Sequence, residues 1–84
     1  MGMQIALVKV DKWQGLYVNG RRVQEDHRIT IAEVMRYALY NHVDQFEEIE
    51  ASDVHMAMTG AFPGGLGDVV LQDGRTMQEH WDSE

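Results

Sequence analysis

Apolar residues crowd both alternating faces of QIALVKV, residues 4–10. Ile5 and Leu7 point one way, and Ala6, Val8 and Val10 the other. A run that is apolar on both faces reads as a strand covered on both sides. The next stretch, GLYVNGRRVQ, carries Asn19-Gly20, a pair suited to positive φ at both central positions of a tight hairpin turn. With those two as the turn, Val18 faces Arg21, Tyr17 faces Arg22 and Leu16 faces Val23. Leu16, Val18 and Val23 then share one face, and Tyr17 and Arg22 the other. Further on, Thr30 precedes an apolar run with Glu33 three residues later, the spacing of a capping box. Ile29 and Val34 occupy the two positions of a hydrophobic staple. Ile31, Val34, Met35, Ala38 and Leu39 recur at helical spacing. The pattern predicts a helix over roughly residues 31–42 with one core-facing stripe, and Arg36, Tyr37 and Tyr40 on its flank or outer side.

The acidic stretch DQFEEIEASD, residues 44–53, interrupts this patterning, and VHMAM after it alternates like a short strand. TGAFPGGLGD, residues 59–68, holds four of the eight glycines and the only proline, so it reads as a loop. DVVLQDGRTM then places an Asp73-Gly74 turn between short apolar runs, which suggests a last strand or small hairpin before the polar tail EHWDSE. The order is β-β-β-α-β, with room for one further strand. The expected fold is a small α+β domain spanning residues 1–84, an antiparallel sheet packed against one helix.

Composition sharpens this picture in two ways. At 84 residues with 44% hydrophobic residues the chain can build one core, and the absence of cysteine removes disulfides and thiolate metal sites as reinforcement. Self-association is a remaining remedy, so a homodimer is expected, with six methionines as adaptable apolar surface. The N-terminal apolar run is too short for a membrane span and has no small-residue cleavage site, so neither signal peptide nor anchor is read and a cytoplasmic location is expected.

Charge is unevenly placed. Residues 1–40 carry six Lys or Arg against four Asp or Glu, a balance of +2, whereas residues 41–84 carry one against ten, a balance of −9. Such a chain is a poor nonspecific binder of nucleic acid, whose affinity comes largely from neutralised phosphates. A basic partner surface suits it better, and Glu47, Glu48 and Glu50 are candidate contacts.

Catalytic chemistry finds little to stand on. Ser52 and Ser83 are the only serines, and Ser52, Asp53 and His55 lie too close in sequence for a triad; a turn or capping role fits Ser52 and Asp53. No pair of histidines has ligand spacing, so neither metal nor cofactor is expected, and no enzyme. The glycine-rich loop lacks the Lys-Ser/Thr of a phosphate-binding loop, and a strand-like segment follows it where a dinucleotide fingerprint needs a helix. Phe62 and Leu66, on either side of Pro63, read instead as apolar anchors that dock the turn onto the core or a partner, which makes Phe62 a further candidate contact. Trp13, Tyr17, Arg21 and Arg22 form a candidate contact patch, since aromatics and arginine carry interface hot spots. As a ligand cradle the loop belongs beside that patch. As punctuation it buries Phe62 and Leu66 while the patch faces elsewhere, and this second arrangement is the one expected.

The segment WQGLYVNGRRVQEDHRITIAEV, residues 13–34, resembles a pattern of small uncharacterised proteins of tailed bacteriophages and prophages. In it a Trp, a Gly-Leu-Tyr-Val strand with an Asn-Gly turn, a short strand and a His lead into a capped helix. FPGGLGDVVLQDG is similar to a later segment of such proteins, although glycines at 64, 65 and 67 stand where that pattern has more polar residues. The resemblance implies a phage protein acting in the cytoplasm of the infected bacterium. The reading that follows is a non-enzymatic accessory protein of the host-takeover or anti-defence type, binding a host bacterial protein through the 44–53 face or the Trp13/Tyr17/Arg22 patch. The alternative is a small-molecule binder that sequesters a nucleotide signal.

Overall fold

The structure, a computed structural model, describes residues 2–10, 12–39 and 42–83. Its elements are β1 (Met3–Val10), β2 (Trp13–Val18), β3 (Arg21–Asp26), α1 (Ile31–Ala38), β4 (Val43–Glu50), α2 (Val54–Met58), a 3-10 turn (Leu66–Asp68) and α3 (Met77–Asp82). This is an α+β domain in which three strands, a helix and a fourth strand follow in the expected order. Strand order across the sheet is β3-β2-β1-β4.

β1 lies at the centre because both its faces are apolar. Ile5 and Leu7 join Leu16 and Ile29 under α1, while Ala6 and Val8 join Tyr17, Ile49 and the C-terminal residues on the opposite side. The sheet is therefore the middle of three layers, with α1 above and residues 51–83 below. The expected antiparallel pairing holds for β1–β2 and β2–β3. β4 departs from it, running parallel to β1. The physical reason is α1, which carries the chain from the β3 edge across the sheet to the far edge, so that β4 starts at the same end as β1.

The hairpin turn forms as its residues dictate, with Asn19 at φ 52° and Gly20 at φ 83°. Val18 pairs with Arg21 and Tyr17 with Arg22, but Leu16 pairs with Gln24. A bulge leaves Val23 out of the ladder, half-exposed, and gives Gln24 the place beside Leu16 that the sequence assigned to Val23.

Thr30 caps α1 by accepting the Glu33 N–H at 3.2 Å, and the staple residues Ile29 and Val34 pack in the same cluster. The reciprocal half of the capping box is taken elsewhere, because the Glu33 carboxylate accepts from Gln24. The helix ends at Ala38 with Leu39 as its cap; Tyr40, expected on its flank, lies outside the described residues.

Two expectations about elements are corrected. The acidic stretch is not an interruption but strand β4, held by its ladder to β1 and by burial of Ile49. VHMAM is not a strand but the short helix α2, its first N–H accepted by Ser52 Oγ and its end set by Gly60 at φ 76°. The expected small hairpin appears at its minimum, a turn at Asp73-Gly74 with Leu71 bonded to Arg75 and Val70 bridged to Thr76. The polar tail is helix α3, opened by a complete capping box between Thr76 and Glu79.

Candidate interaction surfaces

Trp13, Gly15 and Tyr17 lie on the face of β2 turned towards the C-terminal layer, and Phe62 and Pro63 dock on it. The Tyr17 side chain is fully buried and its hydroxyl donates to the Pro63 carbonyl. Arg22 donates its Nη1 to the Phe62 carbonyl and its backbone N–H to the Gly64 carbonyl at 2.8 Å. Glu25 is the hub of the arrangement. Its Oε1 accepts the Phe62 N–H at 2.9 Å and the Trp13 indole N–H at 3.0 Å, while Oε2 pairs with Arg22 at 3.2 Å. Trp13 itself begins β2 opposite Val10 and meets His27 edge-on, ring centroids 4.9 Å apart. Burial pushes the Tyr17 phenol above its ordinary pKa, overcoming the opposing pull of the Arg22 guanidinium, so it stays a neutral donor.

The loop is thus a packed part of the sheet. Phe62 and Leu66 are buried, as expected of anchors, and Leu66 donates to the Gly20 carbonyl at 2.8 Å, extending the ladder past the start of β3. The expectation that the patch would then face elsewhere is overturned. Tyr17 and Arg22 face the loop and hold it, because its carbonyls supply the acceptors that a buried phenol and a half-buried guanidinium need, and Trp13 joins them through Glu25. Arg21 stays exposed beside Gly65.

The other candidates lie across the sheet on β4, an edge strand whose outer side no strand pairs with among the described residues. Register with β1 puts Glu48 and Glu50 on the α1 side, with Phe46, and Glu47 on the opposite side with Ile49. Lys9 pairs with Glu48 at 3.1 Å. Along this edge runs an open groove of about 540 Å³, bordered by Glu47, Glu48, Glu50, Asp73, His80 and Trp81. A second concavity, of about 330 Å³, shares Gln45, Glu47 and Trp81 as its wall. Trp81 is 42% exposed between them.

No protein-family model matches the chain, and neither a curated protein nor a solved structure does.

Among the described residues no three of His, Asp and Glu gather as a metal site, and no helix is long and apolar enough to cross a membrane. Two features escaped the sequence reading. Trp81 was hidden in a polar tail, although Thr76-x-x-Glu79 ahead of it is the same helix signature that marked α1. The second is the outer face of α1. Val34, Tyr37 and Ala38 pack on the sheet, while Ile31, Met35 and Leu39, assigned to one core-facing stripe, are 79%, 55% and 67% exposed. At 100° per residue those three centre about 105° round the helix from the packed three, so α1 carries one broad apolar stripe of which the sheet covers only one flank.

Proposed function

We propose that this is a non-enzymatic interaction protein that captures a basic segment of a partner along the open edge of β4. The observation that carries the reading is the acidic groove on that edge, where Glu47 and Trp81 share a wall and Glu48 and Glu50 follow along the strand. A free strand edge offers backbone hydrogen bonds to an extended segment. Carboxylates on both faces of an edge strand oppose indiscriminate pairing and favour a segment bearing Lys or Arg. An indole face beside a carboxylate suits a cationic side chain. The Trp13/Tyr17/Arg22 patch carries less of the function, since Tyr17 and Arg22 already donate to the loop and Trp13 to Glu25. For the same reason the nucleotide reading gains no support from these residues. The likeness of residues 13–34 to small phage proteins supports a partner in the cytoplasm of a bacterial host, in the manner of host-takeover or anti-defence proteins.

The test is affinity capture from a bacterial lysate with mass spectrometry, comparing the natural sequence with a Glu47→Lys/Glu50→Lys double variant and with Trp81→Ala. The expected result is one enriched partner, lost from both variants and released near 1 M salt, where the Debye length is about 3 Å. Equal capture by all three proteins overturns the reading.

A further inference from the structure

The outer face of α1 carries three of the seven large hydrophobic residues exposed on the described protein, and its geometry suits one particular occupant. Ile31, Met35 and Leu39 are spaced four residues apart, a single ridge with Met35 at its centre. We infer that this face is the two-fold interface of a homodimer, in which α1 packs antiparallel on α1 of a second copy. A two-fold axis passing by Met35 sets Met35 against the partner's Met35 and Ile31 against the partner's Leu39, so the face is complementary to itself. Ridges of this spacing interdigitate in the commonest class of helix packing. Ala32, exposed on the same side, lets the two backbones approach.

Charge and area favour a second copy. The outward side of α1 bears Arg36 and no carboxylate, because Glu33 turns towards Gln24 on β3. In a chain of net charge −7, two copies can therefore meet here without bringing acid against acid. The three large side chains leave roughly 400 Å² of apolar surface exposed, within the ~300–600 Å² of a monomer's largest patch and about half of the ~800 Å² per partner of a standard interface. The β4 groove and this face are separate surfaces, so dimerisation and partner capture can fail independently.

Sedimentation velocity and cysteine cross-linking test the inference together. The natural sequence is expected to sediment at twice the chain mass at micromolar concentration, and Met35→Glu at the chain mass with unchanged circular dichroism. The chain contains no cysteine, so introduced thiols report cleanly. Met35→Cys is expected to oxidise to a cross-linked dimer in high yield. Ile31→Cys mixed with Leu39→Cys is expected to cross-link several-fold more than either alone. A monomer at high micromolar concentration overturns the inference. So does a dimer unaffected by Met35→Glu, or a mixed sample that cross-links no better than the single variants.

Discussion

Phe62 packs against Gly15 of β2, so close that a Cβ on the glycine would come within 2.8 Å of the ring. The glycine is what lets the 59–68 loop seat its principal anchor on the sheet. Gly15→Ala gains some strand propensity but forces the ring or the loop to shift, and overpacking of this kind costs about 1–3 kcal/mol. Urea unfolding is expected to show a midpoint lowered accordingly. Protease cleavage within residues 59–68 should appear earlier than in the natural sequence.

Glu25 binds three donors at once, and its removal is expected to cost more than its half-exposed neighbours suggest. Glu25→Ala leaves the Phe62 N–H, the Trp13 indole and the Arg22 guanidinium short of an acceptor. Each unsatisfied group costs ~1–3 kcal/mol when shielded from water, and partial exposure here brings the whole to about 2 kcal/mol. Thermal unfolding reads the loss, and Glu25→Gln is expected to recover part of it because one amide oxygen still accepts.

The two helix caps offer an internal comparison. Thr30 makes a single capping bond, whereas Thr76 and Glu79 bond reciprocally. Thr30→Ala and Thr76→Ala are each expected to lower stability by about 0.5–2 kcal/mol, with Thr76→Ala the larger. Met77, buried just inside α3, makes the C-terminal layer depend on that cap. Equal losses for the two variants would refute the ranking.

Tyr17 gives the fold an alkaline limit. Its phenol holds its proton in the folded state above the ordinary value, because burial disfavours phenolate. An unfolded tyrosine loses that proton near pH ~10. Above that pH the unfolded state binds fewer protons than the folded one, so stability is fully present below pH ~10 and falls as the pH rises beyond it. Phenolate absorbance during an alkaline titration is expected to show Tyr17 ionising together with unfolding. Tyr17→Phe removes the coupling and loses the bond to Pro63, at about 0.5–1.5 kcal/mol.

Several elements were legible in the sequence because their causes are local. Alternating apolar faces place β1 in the middle of the sheet, Asn19-Gly20 closes the hairpin with Tyr17 opposite Arg22, and Thr30 starts α1. Phe62 and Leu66 were recognisable as anchors because large apolar residues in a flexible loop find their lowest free energy under cover. Each of these rests on residues within a turn or two of one another.

Tertiary structure decided the rest. Five residues of VHMAM fit a strand period and a helical turn equally well, and docking of Met56 on the core selects the helix. β4 is a strand because β1 offers it a ladder, a long-range partner invisible in a run of carboxylates. The bulge at Val23 lies beyond the two pairs that a tight turn dictates, and it lets Arg22 face the loop while Gln24 reaches Glu33. The sequence marked Tyr17, Arg22 and Trp13 as chemically expressive but could not say what they address. The acceptors of Tyr17 and Arg22 arrive from residues 46 and 40 positions away, brought there by burial of Phe62. Which side of α1 meets the sheet was open for the same reason. Periodicity identifies an apolar helix, but only the packed sheet selects the face it covers and the face it leaves to water.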